Sequence, residues 1–242
     1  MNVGESKFRT ILSKPIFILL NDPNKGNLGL TGRSHDEKYW RICYTSDDAP
    51  LSYYLYDRQK PSTKFLFTQR KQLENRKLAK MHPVWIKAHD GFDLLGYYSL
   101  PPGTDNQTLG IPDKPLPLVF IPHGGPWGRD YWSFHVWHQW PANRGYAVLS
   151  INFRASTEFG KSFVNSGNLE WGGKIIGDQQ DAVQWAVNAG IADPSHLAVF
   201  GISFGGYSAL AGLTFTPELF ACGIDLVGPA NLVTLIQTLP PN

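Results

Sequence analysis

The hydrophobic rhythm of the chain changes once, near His82-Pro83. Before that point, short apolar runs alternate with turn clusters. Residues 17–20, 39–45, 51–57 and 64–68 read as strands. Between them lie Asp22-Pro23-Asn24, residues 46–50 and residues 58–61, all rich in turn formers. Such even spacing predicts a meander, part of a sandwich or the blades of a propeller, in a stretch too short for a complete propeller. Residues 69–80 are charged and carry no apolar stripe, which predicts a linker or the end of the β-rich part.

After His82-Pro83 the period alternates. Residues 84–89 and 93–100 predict two strands around the turn Asp90-Gly91, and a Pro/Gly/Asp loop fills 101–117. Apolar strand patterns follow at 116–122, 146–153, 197–200 and 220–227, with helical patterns at 131–144, 171–189 and 203–214. The helix at 171–189 has its apolar face at Ile175, Ile176, Ala182, Val183, Ala186 and Val187. Strands that are apolar throughout, alternating with helices, predict an α/β fold: a mostly parallel sheet covered on both faces. The expected domains are 1–80, β-rich, and 81–242, α/β.

Composition adds little to this picture. Of 242 residues, 42% are hydrophobic and 17% charged, a globular composition, and the net charge of +2 gives no reason to expect nucleic acid as a partner. No apolar run approaches membrane-spanning length, and residues 15–20 are too short for a secretory signal. Cys43 and Cys222 each sit in an apolar run, which predicts two buried free thiols, a reducing compartment and a cytoplasmic location. Ligand clusters at metal spacing are lacking, so neither metal nor cofactor is expected.

The chemistry concentrates in two places. Gly201-Ile202-Ser203-Phe204-Gly205 matches G-x-S-x-G between an apolar strand and a small-residue helix. There the glycines permit a sharp turn that lifts the Ser203 hydroxyl clear of the sheet, and the Phe204 N–H falls at a helix N-terminus, suited to an oxyanion. His123-Gly124-Gly125-Pro126 ends a buried strand, where open α/β sheets place their sites. Its glycines let backbone N–H groups approach a ligand. Arg154 and Glu158 follow the next strand, as substrate contacts or as a loop ion pair. Asp178 reads as an internal acceptor, and His196 as a surface residue.

These motifs, with residues 152–160 (NFRASTEFG), Gly177-Asp178, Gly206-Tyr207 and residues 225–229 (DLVGP), resemble the prolyl oligopeptidase family of serine peptidases, most closely its acylaminoacyl-peptidase and dipeptidyl-peptidase-like branch. The resemblance covers residues 82–242 and implies a partial α/β-hydrolase preceded by the remnant of a β-propeller. It implies Ser203 as nucleophile, the Phe204 and Gly125 N–H groups as oxyanion donors, and short peptides as substrate. His123, Gly124, Tyr207 and Arg154 fall where substrate contacts would lie. It also implies an acid and a histidine after the nucleophile, in that order. The 39 residues after Ser203 contain only Glu218 and Asp225 as acids and no histidine. The expectation is a fragment, inactive alone, prone to self-association through exposed strand edges. A carboxylesterase or lipase of the same fold, or a catalytically silent binding fragment, are the alternatives.

Overall fold

The structure is a computed structural model that describes Leu20, Asp22, residues 25–105 and residues 109–239. The strand expected at 17–20 lies outside the described residues except for Leu20. The chain divides into two compact units, one reaching Leu78 and including Trp132–His135, the other comprising Ala79–Tyr131 and the residues from Val136 onward.

The first unit is a four-stranded antiparallel meander: β1 (Asn27–Arg33), β2 (Tyr39–Thr45), β3 (Ser52–Asp57) and β4 (Ser62–Thr68), paired in that order. This is the strand arrangement of a propeller blade. Alternation builds its core, since Trp40, Ile42 and Tyr44 of β2 and Tyr56 of β3 are all buried. Strand β1 is not among the expected strands. Gly29 and Gly32 interrupt its apolar pattern, and a register shift falls between Leu30 and Gly32.

The second unit holds a six-stranded sheet. Its strands are β5 (Met81–Lys87), β6 (Asp93–Ser99), β7 (Leu116–Phe120), β8 (Ala147–Asn152), β9 (Ala192–Ile202) and β10 (Cys222–Leu226), in the spatial order β5-β6-β8-β7-β9-β10. The β5–β6 and β6–β8 pairs are antiparallel, and the β7–β8, β7–β9 and β9–β10 pairs are parallel. Among the described residues four helices lie between these strands, α1 (Val136–Ala142), α2 (Lys161–Asn165), α3 (Lys174–Asn188) and α4 (Phe204–Phe215), and α5 (Leu232–Thr238) follows the last.

Side-chain alternation assigns the two faces of this sheet. Leu118, Phe120, Leu149, Ile151 and Val199 share one core with Ile175, Val183 and Ala186 of α3 and Phe204 and Ala209 of α4. Their strand neighbours Val119, Val148 and Phe200 point the other way, into a core with Ala142 and Trp137 of α1. The sheet is therefore mixed, with four parallel strands, and covered on both faces. No helix among the described residues is long and apolar enough to cross a membrane.

One expectation fails here. Cys43 is buried, but Cys222 is exposed. Its strand, β10, lies at the sheet edge, and none of its five residues is buried. An apolar run does not by itself place a residue in the core when no neighbouring strand covers it.

Candidate active site

Strand β9 delivers Ser203. The serine stands between β9 and α4 with φ 59° and ψ −121°, a conformation few non-glycine residues adopt. Its N–H donates to the Leu226 carbonyl at 2.9 Å, which fixes the turn against the end of β10. The side chain is left exposed, while Phe204, Gly205 and Gly206 around it are buried. The flanking glycines are sterically required. A Cβ at Gly201 would overlap the Gly205 carbonyl, and one at Gly205 would overlap the Pro122 carbonyl. Phe204 opens a twelve-residue helix, so its N–H has no carbonyl one turn earlier to bond.

The loop after β7 comes against this turn. A Cβ built at Gly124 would lie 3.6 Å from Ser203 Cβ and 3.3 Å from the Ile202 carbonyl oxygen. Gly125 has φ 135°, open to glycine, and is exposed. His123 ties this loop down. Its ring stacks on Phe153 at 4.2 Å, Nδ1 lies 2.8 Å from the Gly124 carbonyl oxygen and Nε2 lies 2.9 Å from Ser156 Oγ. A carbonyl only accepts, which assigns the ring proton to Nδ1. The buried Ser156 hydroxyl, 2.6 Å from the Phe153 carbonyl oxygen, then shares its one proton between two acceptors. Burial pushes the His123 imidazole down to about 4, so it is neutral near pH 7. Ser156 lies within the NFRASTEFG run, where the sequence signal was present but carried no assigned partner.

The structure gives Arg154 a different place from a substrate contact. It is buried, and it pairs with Asp178 and Asp90 rather than Glu158. Its Nε donates to Asp178 at 2.8 Å and its Nη1 to Asp90 at 3.0 Å, so its donors are spent inside the fold. Those hydrogen bonds, from Asp178 first, raise the guanidinium further above its ordinary value. Asp178, fully buried, is the internal acceptor expected from sequence, also receiving the Arg154 N–H at 2.9 Å. Glu158 instead accepts from Arg129 at 3.1 Å and from Tyr131 Oη at 2.9 Å. Tyr207 is 9% exposed and packs on Phe204 and Trp171, so it lies beneath the site rather than facing it.

Two other histidines of this unit have partners of their own. His138 is buried between Ser99 and Ser150, and His196 is exposed beside Asp193. Asp225 accepts from the Gly228 N–H at 2.7 Å and closes a turn. Among the described residues no group of ligands could hold a metal ion.

Comparison with known proteins agrees with this fold. Residues 132–239 match the model described as the Prolyl oligopeptidase family. The chain is 49% identical to "Dipeptidyl aminopeptidase BIII" of Pseudoxanthomonas mexicana over 216 residues, 89% of this chain and 31% of that protein. It is 40% identical to "Dipeptidyl peptidase family member 6" of Caenorhabditis elegans, across 92% of this chain and 32% of that one. A puromycin-hydrolyzing peptidase of Mycobacterium tuberculosis superposes with a TM-score of 0.73 at 25% identity, over 84% of this chain and 31% of the other. The chain thus spans about a third of the length of the curated relatives it matches. In motif order and in fold the α/β segment of this chain is similar to the prolyl oligopeptidase family, whose model it matches over residues 132–239.

Proposed function

We propose that this chain supplies the nucleophile and the oxyanion hole of a serine peptidase that cleaves short peptides through an acyl-enzyme on Ser203. One observation carries the reading: an exposed serine held at φ 59° between strand and helix, with Gly124 of the preceding strand-end loop packed against it.

In this reading Ser203 Oγ attacks the scissile carbonyl carbon and gives its proton to a base. The oxyanion is met by the N–H groups of Phe204 and Gly125. Collapse expels the amine, which takes the proton, and water then releases the acyl group. His123 serves by holding the Gly124-Gly125 segment in place. It is a poor candidate for the base, because both its ring nitrogens face fixed partners within the loop. In this fold the acid and the histidine follow the nucleophile. We place both in sequence that the longer relatives have and these 242 residues lack, and without them the Ser203 hydroxyl is a weak nucleophile. The peptidase reading is preferred over an esterase because the two relatives described above are named as peptidases.

Treating the full-length protein with a fluorophosphonate tests this. The label should sit on Ser203, and Ser203→Ala should abolish labelling and lower peptide turnover by a factor on the order of 10⁶. Labelling elsewhere, or turnover surviving in Ser203→Ala, would overturn the assignment. Faster turnover of short-chain esters than of any peptide would favour the esterase.

A further inference from the structure

The loop between α2 and α3, residues 166–173, returns to the nucleophile helix at Trp171. The Trp171 ring meets Phe204, the residue after Ser203, edge-on at 4.8 Å, and Tyr207 at 6.2 Å. It also meets Trp127 edge-on at 6.1 Å. Trp127 directly follows the His123–Pro126 motif and is 57% exposed. The two indoles therefore bridge the loop after β7 and the start of α4. Beside them Gly172 and Gly173 are exposed and offer no side chain, and a Cβ at Gly172 would lie 3.2 Å from Tyr207 Oη. Glu170 is the one charged residue of the loop. It turns away to accept the Lys174 N–H at 3.0 Å. The wall thus offers apolar aromatic surface against the residue that follows Ser203, with the loop's one charged side chain bonded to the loop's own end. Such a surface is one that an apolar ligand group buries.

We propose that Trp127 and Trp171 form an apolar subsite for the substrate residue adjoining the scissile bond, selecting aliphatic or aromatic side chains there over small or charged ones. This rests on Ser203 being the nucleophile.

The test uses the full-length protein and internally quenched peptides. The residue on each side of the cleaved bond is set in turn to Ala, Leu, Phe or Lys. Wild type should favour Leu or Phe over Ala and Lys at one of the two positions by roughly ten- to a hundredfold in kcat/KM. Trp127→Ala and Trp171→Leu should each bring that ratio to within about threefold. Fluorophosphonate labelling of Ser203 in Trp140→Ala should stay as fast as in wild type. Trp140→Ala, which removes an exposed tryptophan of α1, should leave the preference intact. Trp127 lies at the surface, so its variant remains informative should Trp171→Leu misfold. An unchanged ratio in Trp127→Ala, or an equal loss across all the peptides, would overturn the subsite. Absence of both labelling and cleavage in wild type would instead sink the peptidase reading itself.

Discussion

Single residues here are governed by where their charges end up. Asp130 follows the His123–Pro126 loop, and its main chain is clasped by the Asn152 side chain, with the Asp130 N–H donating to Asn152 Oδ1 at 2.8 Å. Its Oδ2 is buried without a hydrogen-bond partner. Burial pushes the carboxyl up from 3.8 to about 7. Between those values the unfolded chain has released this proton and the folded chain keeps it. Stability from this group therefore falls as pH rises from about 4 to 7 and is flat above. Asp130→Asn should raise stability at pH 8 by on the order of 1–3 kcal/mol, the gain vanishing by pH 4. Thermal melts of both proteins across pH would check it, and a gain independent of pH would contradict it. Arg154 shows the opposite case, a buried charge matched on two sides by Asp178 and Asp90. Its place could not be read from sequence, because Asp178 lies 24 residues away and Asp90 lies 64 away.

At the scale of elements, the strand–turn–helix from β9 to α4 was legible because its chemistry is local. An apolar strand, glycines where a Cβ would overlap backbone and a small-residue helix all fall within about fifteen residues. Gly205→Ala should therefore destabilise the fold by roughly 1–3 kcal/mol or more, since its Cβ overlaps the Pro122 carbonyl. It should also slow Ser203 labelling, by shifting the strand-end loop away from the turn. Chemical denaturation and labelling kinetics together would test this, and a variant of wild-type stability and reactivity would refute the steric argument. The elements that escaped sequence reading are those without a continuous pattern. Strand β1 carries two glycines, helix α2 has five residues and no buried one, and helix α5 has no buried residue either. The expected helix at 131–144 shortens to Val136–Ala142, because its aromatics pack as loop residues as well as helix.

At the scale of the whole chain, the consequential feature is the open side of the six-stranded sheet. Among the described residues β10 pairs with β9 alone. Ile224, Leu226 and Val227 are exposed there, as are Val233, Ile236 and Leu239 in and just after α5. An uncovered apolar edge pairs with other chains. The 242-residue chain should self-associate in a concentration-dependent manner. Ile224→Lys with Leu226→Lys should shift it toward monomer, as read by light scattering. A soluble monomer that melts sharply without those changes would contradict this.

The sequence alone determined the α/β character, the β-rich start, the family resemblance and the exposed serine turn on which the proposed nucleophile rests, because each depends on short-range patterns or on steric demands between near neighbours. Tertiary structure decided what depends on burial and on partners far along the chain. It placed Arg154 inside the fold rather than at the substrate, exposed Cys222 on an edge strand, fastened His123 to Ser156, and set Trp127 against Trp171. Desolvation and cross-chain contact fix those outcomes, and neither is a property of a local stretch of residues.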